Sequence, residues 1–278
     1  MARCILHRVK HLEVRREAAV RIAQKAGACL QGYLGKIGGY SEKSRANLVS
    51  EADLASEALI RSELEAAFPA DLLVAEERDG FEGALARRDD LDRAPFAWAV
   101  DPLDGTTNFV HGYPFFAVSI GLLAHGRPVL GVVYAPFRDE LFTGGEGIPA
   151  ELNGRALAVS KADTLKEALV GTGFVFMEPE RLDLVLAVLR TVLLESHGVR
   201  RAGSAALDLC DVAAGRLDAF YETGLAPWDV VAGQAIVEAA GGQVTNFAGE
   251  SHDVYGRNVL ASNRRLHPAM CELLAAFK

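Results

Sequence analysis

The apolar run "FAWAV" stops on "DPLDGTTN", residues Asp101 to Asn108, and this junction constrains the fold more than any other stretch of the chain. The run reads as a buried strand. Pro102 has no N–H to offer a ladder, so the ladder is expected to end there and the turn to be rigid. Gly105 allows close backbone approach, and the small hydroxyl-bearing residues after it are expected to open a helix or helical turn. Two carboxylates, Asp101 and Asp104, therefore sit at the mouth of a buried strand, next to a glycine turn.

The flanking segments interleave helices and strands in a layered α/β sense, with much of the sheet antiparallel. "LEVRREAAVRIAQKAGACLQGYLGK" and "ADLASEALIRSELEAAFP" carry apolar residues at helical spacing, and Pro69 stops the second. "DLLVAEE" is a short strand ending on Glu76 and Glu77. The charged stretch "RDGFEGALARRDDLDRAP" reads as an exposed loop or hairpin. "FAVSIGLLAHGRPVLGVVYAPFRDELFTGG" is expected to form an antiparallel meander, and "LNGR" an Asn-Gly turn. Further on, Ser204 is a plausible N-cap and Gly215 a stop for the helix "AALDLCDVAAG". "RLDAFYE" is a strand ending on Glu222, and Asp229 lies near the start of the helix in "PWDVVAGQAIVEAAGG". Residues 1–12 read as an N-terminal extension or helix start. Residues 13–278 read as one domain, with a possible subdomain break near 158–169.

Composition excludes several classes. Half of the 278 residues are hydrophobic and the net charge is -8, which suits a soluble globular chain and argues against a nucleic-acid-binding surface. No run reaches the ~18 apolar residues of a membrane span. The opening lacks the apolar core of a secretory signal. Cys4, Cys29, Cys210 and Cys271 are scattered without zinc spacing and read as free thiols of a cytoplasmic protein. No G-x-S-x-G elbow, H-E-x-x-H or G-x-x-x-x-G-K-[ST] loop is present.

Acids collect at strand ends and helix starts: Glu76 with Glu77, Asp101 with Asp104, Asp229, and in similar places Asp53 and Glu222. Any one of them alone fits a cap or a turn. Together, Asp101, Asp104 and the Leu103 carbonyl between them are hard oxygen donors suited to magnesium and not to zinc. Backbone N–H groups after Gly105 would hold a phosphate. Were Glu76, Asp101, Asp104 and Asp229 to converge, they would take up protons unless cations, such as two Mg²⁺ ions, compensated them.

"WAVDPLDGTTNFVHGYPFFAVSIGL" and "PWDVVAGQAIVEAAGG", supported by "ANLVSEAD", "AEE" and "GSAALDLCDVAAGRLDAFYE", resemble the inositol monophosphatase family of magnesium-dependent, lithium-sensitive phosphatases. The resemblance implies a five-layer α/β/α/β/α sandwich and a homodimer. It implies two or three Mg²⁺ per site, held by Glu76, Asp101, the Leu103 carbonyl, Asp104 and Asp229. Phosphate would lie on the backbone of Gly105 and Thr106. The Thr106 hydroxyl, held by Asp53, would orient the attacking water together with Glu76. Asp104, Gly203, Ser204, Ala205, Glu222 and Asp229 would meet the substrate. The family often carries a lysine in the loop before Asp53, for which Lys43 is the candidate, and "GGEGIPAELNG" is longer than the family's usual turn.

The resulting expectation is hydrolysis of a small phosphate monoester, myo-inositol monophosphate first. Histidinol phosphate, fructose 1,6-bisphosphate and 3'-phosphoadenosine nucleotides are the alternative substrates. An alternative of another class is an accessory binding protein in transcription or ribosomal RNA assembly, acting through protein contacts. His111 reads as a packing or dimer-surface residue and Trp228 as core packing that fixes Asp229. Arg200 and Arg201 suit either a phosphate or a surface ion pair.

Overall fold

The computed structural model describes residues 2–36, 40–44, 47–174, 179–256 and 258–277. Helix α1 (Ala2–Tyr33) leads to a hairpin of β1 (Tyr40–Ser44) and β2 (Asn47–Ser50), then to α2 (Glu51–Ala67). A seven-stranded sheet follows in sequence order. It comprises β3 (Leu72–Ala75), β4 (Ala97–Asp104), β5 (Ala117–Ala124), β6 (Arg127–Ala135), β7 (Glu140–Gly145), β8 (Ile148–Leu152) and β9 (Arg155–Ala156). Helices α3 (Glu76–Ala86) and α4 (Arg88–Arg93) join β3 to β4, and α5 (Thr106–Val110) follows β4. The β3–β4 pair is parallel and the rest is the expected meander.

The second sheet is built from β10 (Leu169–Thr172), β11 (Gly198–Arg200), β12 (Ala219–Thr223), β13 (Gly242–Thr245) and β14 (Asn258–Asn263), in the order β11-β10-β12-β14-β13. Its helices are α6 (Pro179–Glu195), α7 (Ala205–Ala213), α8 (Pro227–Ala239) and α9 (His267–Leu274). The first sheet ends at Ala156 and the second begins at Leu169, so residues 157–168 connect the two sheets.

Three apolar cores define the layering. One joins α1 and α2 to the outer face of the large sheet through Leu12, Ile22, Ile60, Trp98 and Ile120. The largest lies between the sheets, around α7 and α8. The third covers the far side of the small sheet with α6 and α9. The result is helices, sheet, helices, sheet, helices: the α/β layered sandwich. Among the described residues, no helix is long and apolar enough to cross a membrane. Cys29, Cys210 and Cys271 are free thiols, as expected, whereas the Cys4 side chain lies outside the described residues.

Three local readings need correction or extension. The charged stretch after Glu77 is not a loop or hairpin but helices α3 and α4, kinked at Gly80 (φ 63°). Its helical signal is confined to a narrow stripe, Ala84 and Leu91, which are fully buried. Pro102 does not end the β4 ladder. Asp101 pairs with Ser119 and Asp104 with Ala117, so Pro102 sits in a bulge and pairing resumes beyond it. Helix α1 runs without a break through residues 2–12, and Leu12 is already in the core. The Asn-Gly turn forms as expected: Asn153 (φ 50°) and Gly154 (φ 75°) join β8 to β9, and Asn153 also bonds Leu141 N and Asp139 O.

Helix α8 matters most for the site. It lies against β5, β6 and β7 on one side and β13 on the other. Gly131 makes this close approach possible, because a Cβ there would collide with the Ala232 carbonyl oxygen. Ser119, the ladder partner of Asp101, donates its hydroxyl to the Trp228 carbonyl at 3.0 Å. The residue before Asp229 is thereby fastened beside Asp101.

Candidate active site

The bulge in β4 turns two carboxylates toward the start of α8. Asp101, Asp104 and Asp229 each place an oxygen within 4.8 Å of the others. Asp101 is almost wholly buried, with Oδ1 accepting from its own turn at Leu103 N (2.9 Å). Asp104 reaches across to α7: its Oδ2 accepts from Ser204 Oγ at 2.6 Å and from Ala206 N at 2.7 Å. Ser204 is the expected N-cap of α7 and accepts in turn from Leu207 N. Asp229 is the third residue of α8 and accepts from Ala226 N at 2.7 Å, closing the first turn of that helix.

The electrostatics are those of a crowded acid cluster. Burial, then the charges of Glu76, Asp104 and Asp229, raise the Asp101 carboxyl well above the usual range. Asp229 is raised likewise, by burial and then by Asp104 and Glu76. Burial lifts Asp104 to about 6 against the opposing hydrogen bonds from Ser204 and Ala206. Glu76, at the start of α3, faces the same cluster as a charge acting on all three. Three carboxylates at this separation favour a cation between them, and an all-oxygen donor set suits a hard divalent ion.

Beyond the bulge, Gly105 takes a left-handed conformation (φ 95°) and α5 begins. A Cβ at Gly105 would press on the Phe115 and Gly203 carbonyl oxygens, so glycine is required twice over. Thr106 Oγ1 lies 2.9 Å from Asp53 Oδ1 and 3.1 Å from the Leu103 carbonyl oxygen. Asp53 is fully buried, and Ser50 holds its other oxygen through both N–H and hydroxyl. Burial raises its carboxyl, opposed by the Ser50 and Thr106 bonds.

On the α7 side, Gly203, Ser204 and Ala205 lie beside the Gly105 turn. Glu222 is buried at the end of β12, where burial pushes its carboxyl up to about 8, opposed by Arg201 and reinforced by Asp104. Gly173 leaves the space that the Glu222 carboxylate fills. Thus Asp53, Glu76, Asp101, Leu103, Asp104, Thr106, Ser204, Glu222 and Asp229 are joined by these bonds and charges into one neighbourhood around the β4 bulge. Of the others, Trp228 is core, as read, whereas His111 is exposed and not packed. Arg201 is exposed and stacks over Phe174, donating to its carbonyl. The Lys43 side chain lies outside the described residues.

Sequence reasoning missed three residues. Asn108 donates to the carbonyls of Phe115 (2.6 Å) and Ala202 (2.9 Å), tying the Gly105 turn to the Gly203 loop. Its place inside the "DPLDGTTN" string was the available signal. Asp208, one turn into α7, is buried beside Glu222, and burial holds its carboxyl well up. Glu57 on α2 is buried and bonded to the start of α3.

The family model described as "Inositol monophosphatase family" matches residues 11–277. The chain belongs to the inositol monophosphatase family. It is accordingly an enzyme of the phosphatase class. Among its relatives is the inositol-1-monophosphatase of Synechocystis, 42% identical over 261 residues that cover 94% of this chain and 88% of the relative. The Nus factor SuhB of Pseudomonas aeruginosa is 41% identical and covers 91% of this chain and 92% of its own. A solved structure of the extragenic suppressor protein suhB from Bartonella henselae superposes with a TM-score of 0.84 at 39% identity, covering 93% of this chain and 97% of that one. The inositol monophosphatase-family fold and the layered sandwich described above are therefore the same architecture.

Proposed function

We propose that the chain hydrolyses a small phosphate monoester, with myo-inositol monophosphate the first candidate, using magnesium held by Glu76, Asp101, the Leu103 carbonyl, Asp104 and Asp229. The observation that carries this reading is the meeting of three carboxylates within 4.8 Å beside the Thr106–Asp53 pair. Such a donor set is hard and multiply negative, which fits Mg²⁺. When bound, magnesium supplies positive charge that offsets the acids and draws electron density from the phosphoryl oxygens.

The residues of the chain then divide the work. With its single proton given to Asp53, Thr106 Oγ1 offers a lone pair to a water, and the Leu103 carbonyl keeps its own lone pairs for the metal. Glu76 accepts from the same water on its other side. The two acceptors fix the water for in-line attack on phosphorus. The backbone at Gly105 and Thr106 cradles the phosphate, and Gly105 permits that approach. Gly203, Ser204, Ala205 and Glu222 line the wall that meets the ring hydroxyls. The bonds from Ser204 and Ala206 to Asp104 support a position for this wall next to the phosphate.

The test is phosphate release from a substrate panel: myo-inositol 1-phosphate, histidinol phosphate, fructose 1,6-bisphosphate and a 3'-phosphoadenosine nucleotide. Activity is expected to vanish in EDTA, to return with Mg²⁺, and to show its highest kcat/KM on inositol phosphate. Full turnover in metal-free buffer would overturn the metal reading, and a better kcat/KM on another member reassigns the substrate. A second reading, a binding role of the Nus-factor type, is favoured by the name of the Pseudomonas relative. An Asp101→Asn variant that loses phosphatase activity but complements loss of the chain in cells would support it.

A further inference from the structure

One turn of α2 carries three buried polar side chains, Asp53, Ser56 and Glu57. Their spacing of three and four residues puts them on one face of the helix. Each is bonded to a different segment of the site. Asp53 accepts from Thr106. Ser56 Oγ donates to the Pro102 carbonyl at 2.9 Å, inside the bulge between Asp101 and Asp104. Glu57 accepts from two backbone N–H groups at the start of α3, Glu77 at 2.8 Å and Arg78 at 3.1 Å.

The Glu57 bonds are made in an unusual way. Helix ends need acceptors for their first N–H groups, and these normally come from the N-cap side chain. The N-cap of α3 is Ala75, which has none. Glu57 supplies the cap from another helix. Burial raises its carboxyl, while the Glu77 and Arg78 N–H groups and the nearby Arg61 draw it back. The same turn is braced a second time: Asp79 accepts from Ala75 N at 2.9 Å and from Arg61 Nη2 at 3.1 Å. A local Ser or Asp at position 75 would cap the helix without burying a carboxylate, but it would not tie α3 to α2.

We propose that Glu57 is a positioning residue for Glu76. By anchoring the α3 start to the helical turn that holds Thr106, it sets the separation of the two groups that orient the water. The inference rests on the roles given to Glu76 and Thr106 under the proposed function. It adds that both are referenced to a single rigid turn, so a shift of α3 relative to α2 misplaces the water even with every ligand present. Misplacement on the scale of an ångström costs about 100-fold in rate.

The test compares Glu57→Ala and Glu57→Gln in the wild-type and Glu76→Gln backgrounds. Glu57→Ala is expected to lower kcat by roughly 10- to 100-fold with little change in KM for the phosphate ester. Glu57→Gln keeps an amide oxygen that accepts one of the two N–H groups and is expected to recover most of that loss. In the Glu76→Gln background, Glu57→Ala is expected to change kcat by less than about twofold, because the two act as a unit. Independently of activity, hydrogen exchange of the Glu77 and Arg78 amides in the metal-free protein is expected to quicken at least about tenfold in Glu57→Ala, with β5 amides unchanged. Additive losses in the double variant, or unchanged exchange at those two amides, overturn the inference alone. A Glu76→Gln enzyme with near-wild-type kcat removes Glu76 from the mechanism and the inference with it. If Glu57→Ala does not fold, Glu57→Leu, which fills the same space but accepts no hydrogen bond, carries the same comparison in the two backgrounds.

Discussion

Glu222→Gln is expected to stabilise the metal-free protein, and to do so more as pH rises. The Glu222 carboxyl is 6% exposed and is held up to about 8, against 4.5 for an ordinary glutamate. A group raised in the folded state is protonated there while the unfolded chain has already lost its proton. Folding then costs free energy that grows as pH climbs from 4.5 and levels off above 8. Linkage puts that cost at about 1 kcal/mol at pH 5, about 3 at pH 7 and about 4 at pH 8. Glutamine is a neutral mimic of the protonated acid and escapes it. With an unfolding entropy of about 2 cal/mol/K per residue, the variant should melt about 1 °C above wild type at pH 5 and about 7 °C above at pH 8. Calorimetry of both proteins in EDTA across this range is the assay. A Tm difference that is flat with pH, or negative at pH 8, would refute the argument that burial in this wall raises the carboxyl.

Thr106→Ala should lower kcat roughly 100-fold and leave KM nearly unchanged, because the backbone at the phosphate and all carboxylates remain; a raised KM with intact kcat would show that Thr106 serves binding. Asp53→Asn should cause a similar loss, and the double variant should fall short of the product of the two, as steady-state kinetics on all three will tell. Asp101→Asn and Asp229→Asn should each abolish most turnover while the far-UV spectrum stays native; isothermal titration with Mg²⁺ should show weakened binding in both. Gly131→Ala should cost about 2 kcal/mol or more by urea unfolding, since the new methyl meets the α8 backbone rather than a side chain that can move.

Much of the site was legible because the chemistry lies in local strings. The Asp101–Asn108 turn, the Ser204 cap, the Asp229 helix start and the strand ending near Glu222 all declare themselves through residues whose local roles are few. What was not legible depends on partners far away in sequence. The α3–α4 stretch looks like a loop because its only fully buried apolar residues are Ala84 and Leu91, with Phe81 packed partly against the core, too few to give a period in a run of charges. The bulge at Pro102 is invisible because a missing N–H predicts a broken ladder but not its resumption at Asp104. Glu57 reads as one more surface acid on a helix, since its partners, the amides of Glu77 and Arg78, are backbone groups that carry no sequence signal. Asn108 could be picked out by its place in the "DPLDGTTN" string, but what it ties together could not, since its acceptors are backbone carbonyls.

Asp104 sits at a junction with a wider consequence. One carboxylate belongs to the acid cluster on the large sheet and also holds the start of α7, a helix that touches strands of both sheets. Asp229, the third member, rides on α8, which touches both sheets. A cation gripped by these groups therefore acts as a rivet through the sandwich. Prying the layers apart would mean giving up the ion, so at 100 times its dissociation constant it would add about 2.7 kcal/mol against that opening. Starved of metal, the site loses that tie, and its carboxyls hold protons more readily in place of the cation. Resistance to proteolysis between β9 and β10, where the chain passes from one sheet to the other, should then report ion occupancy without any substrate being turned over.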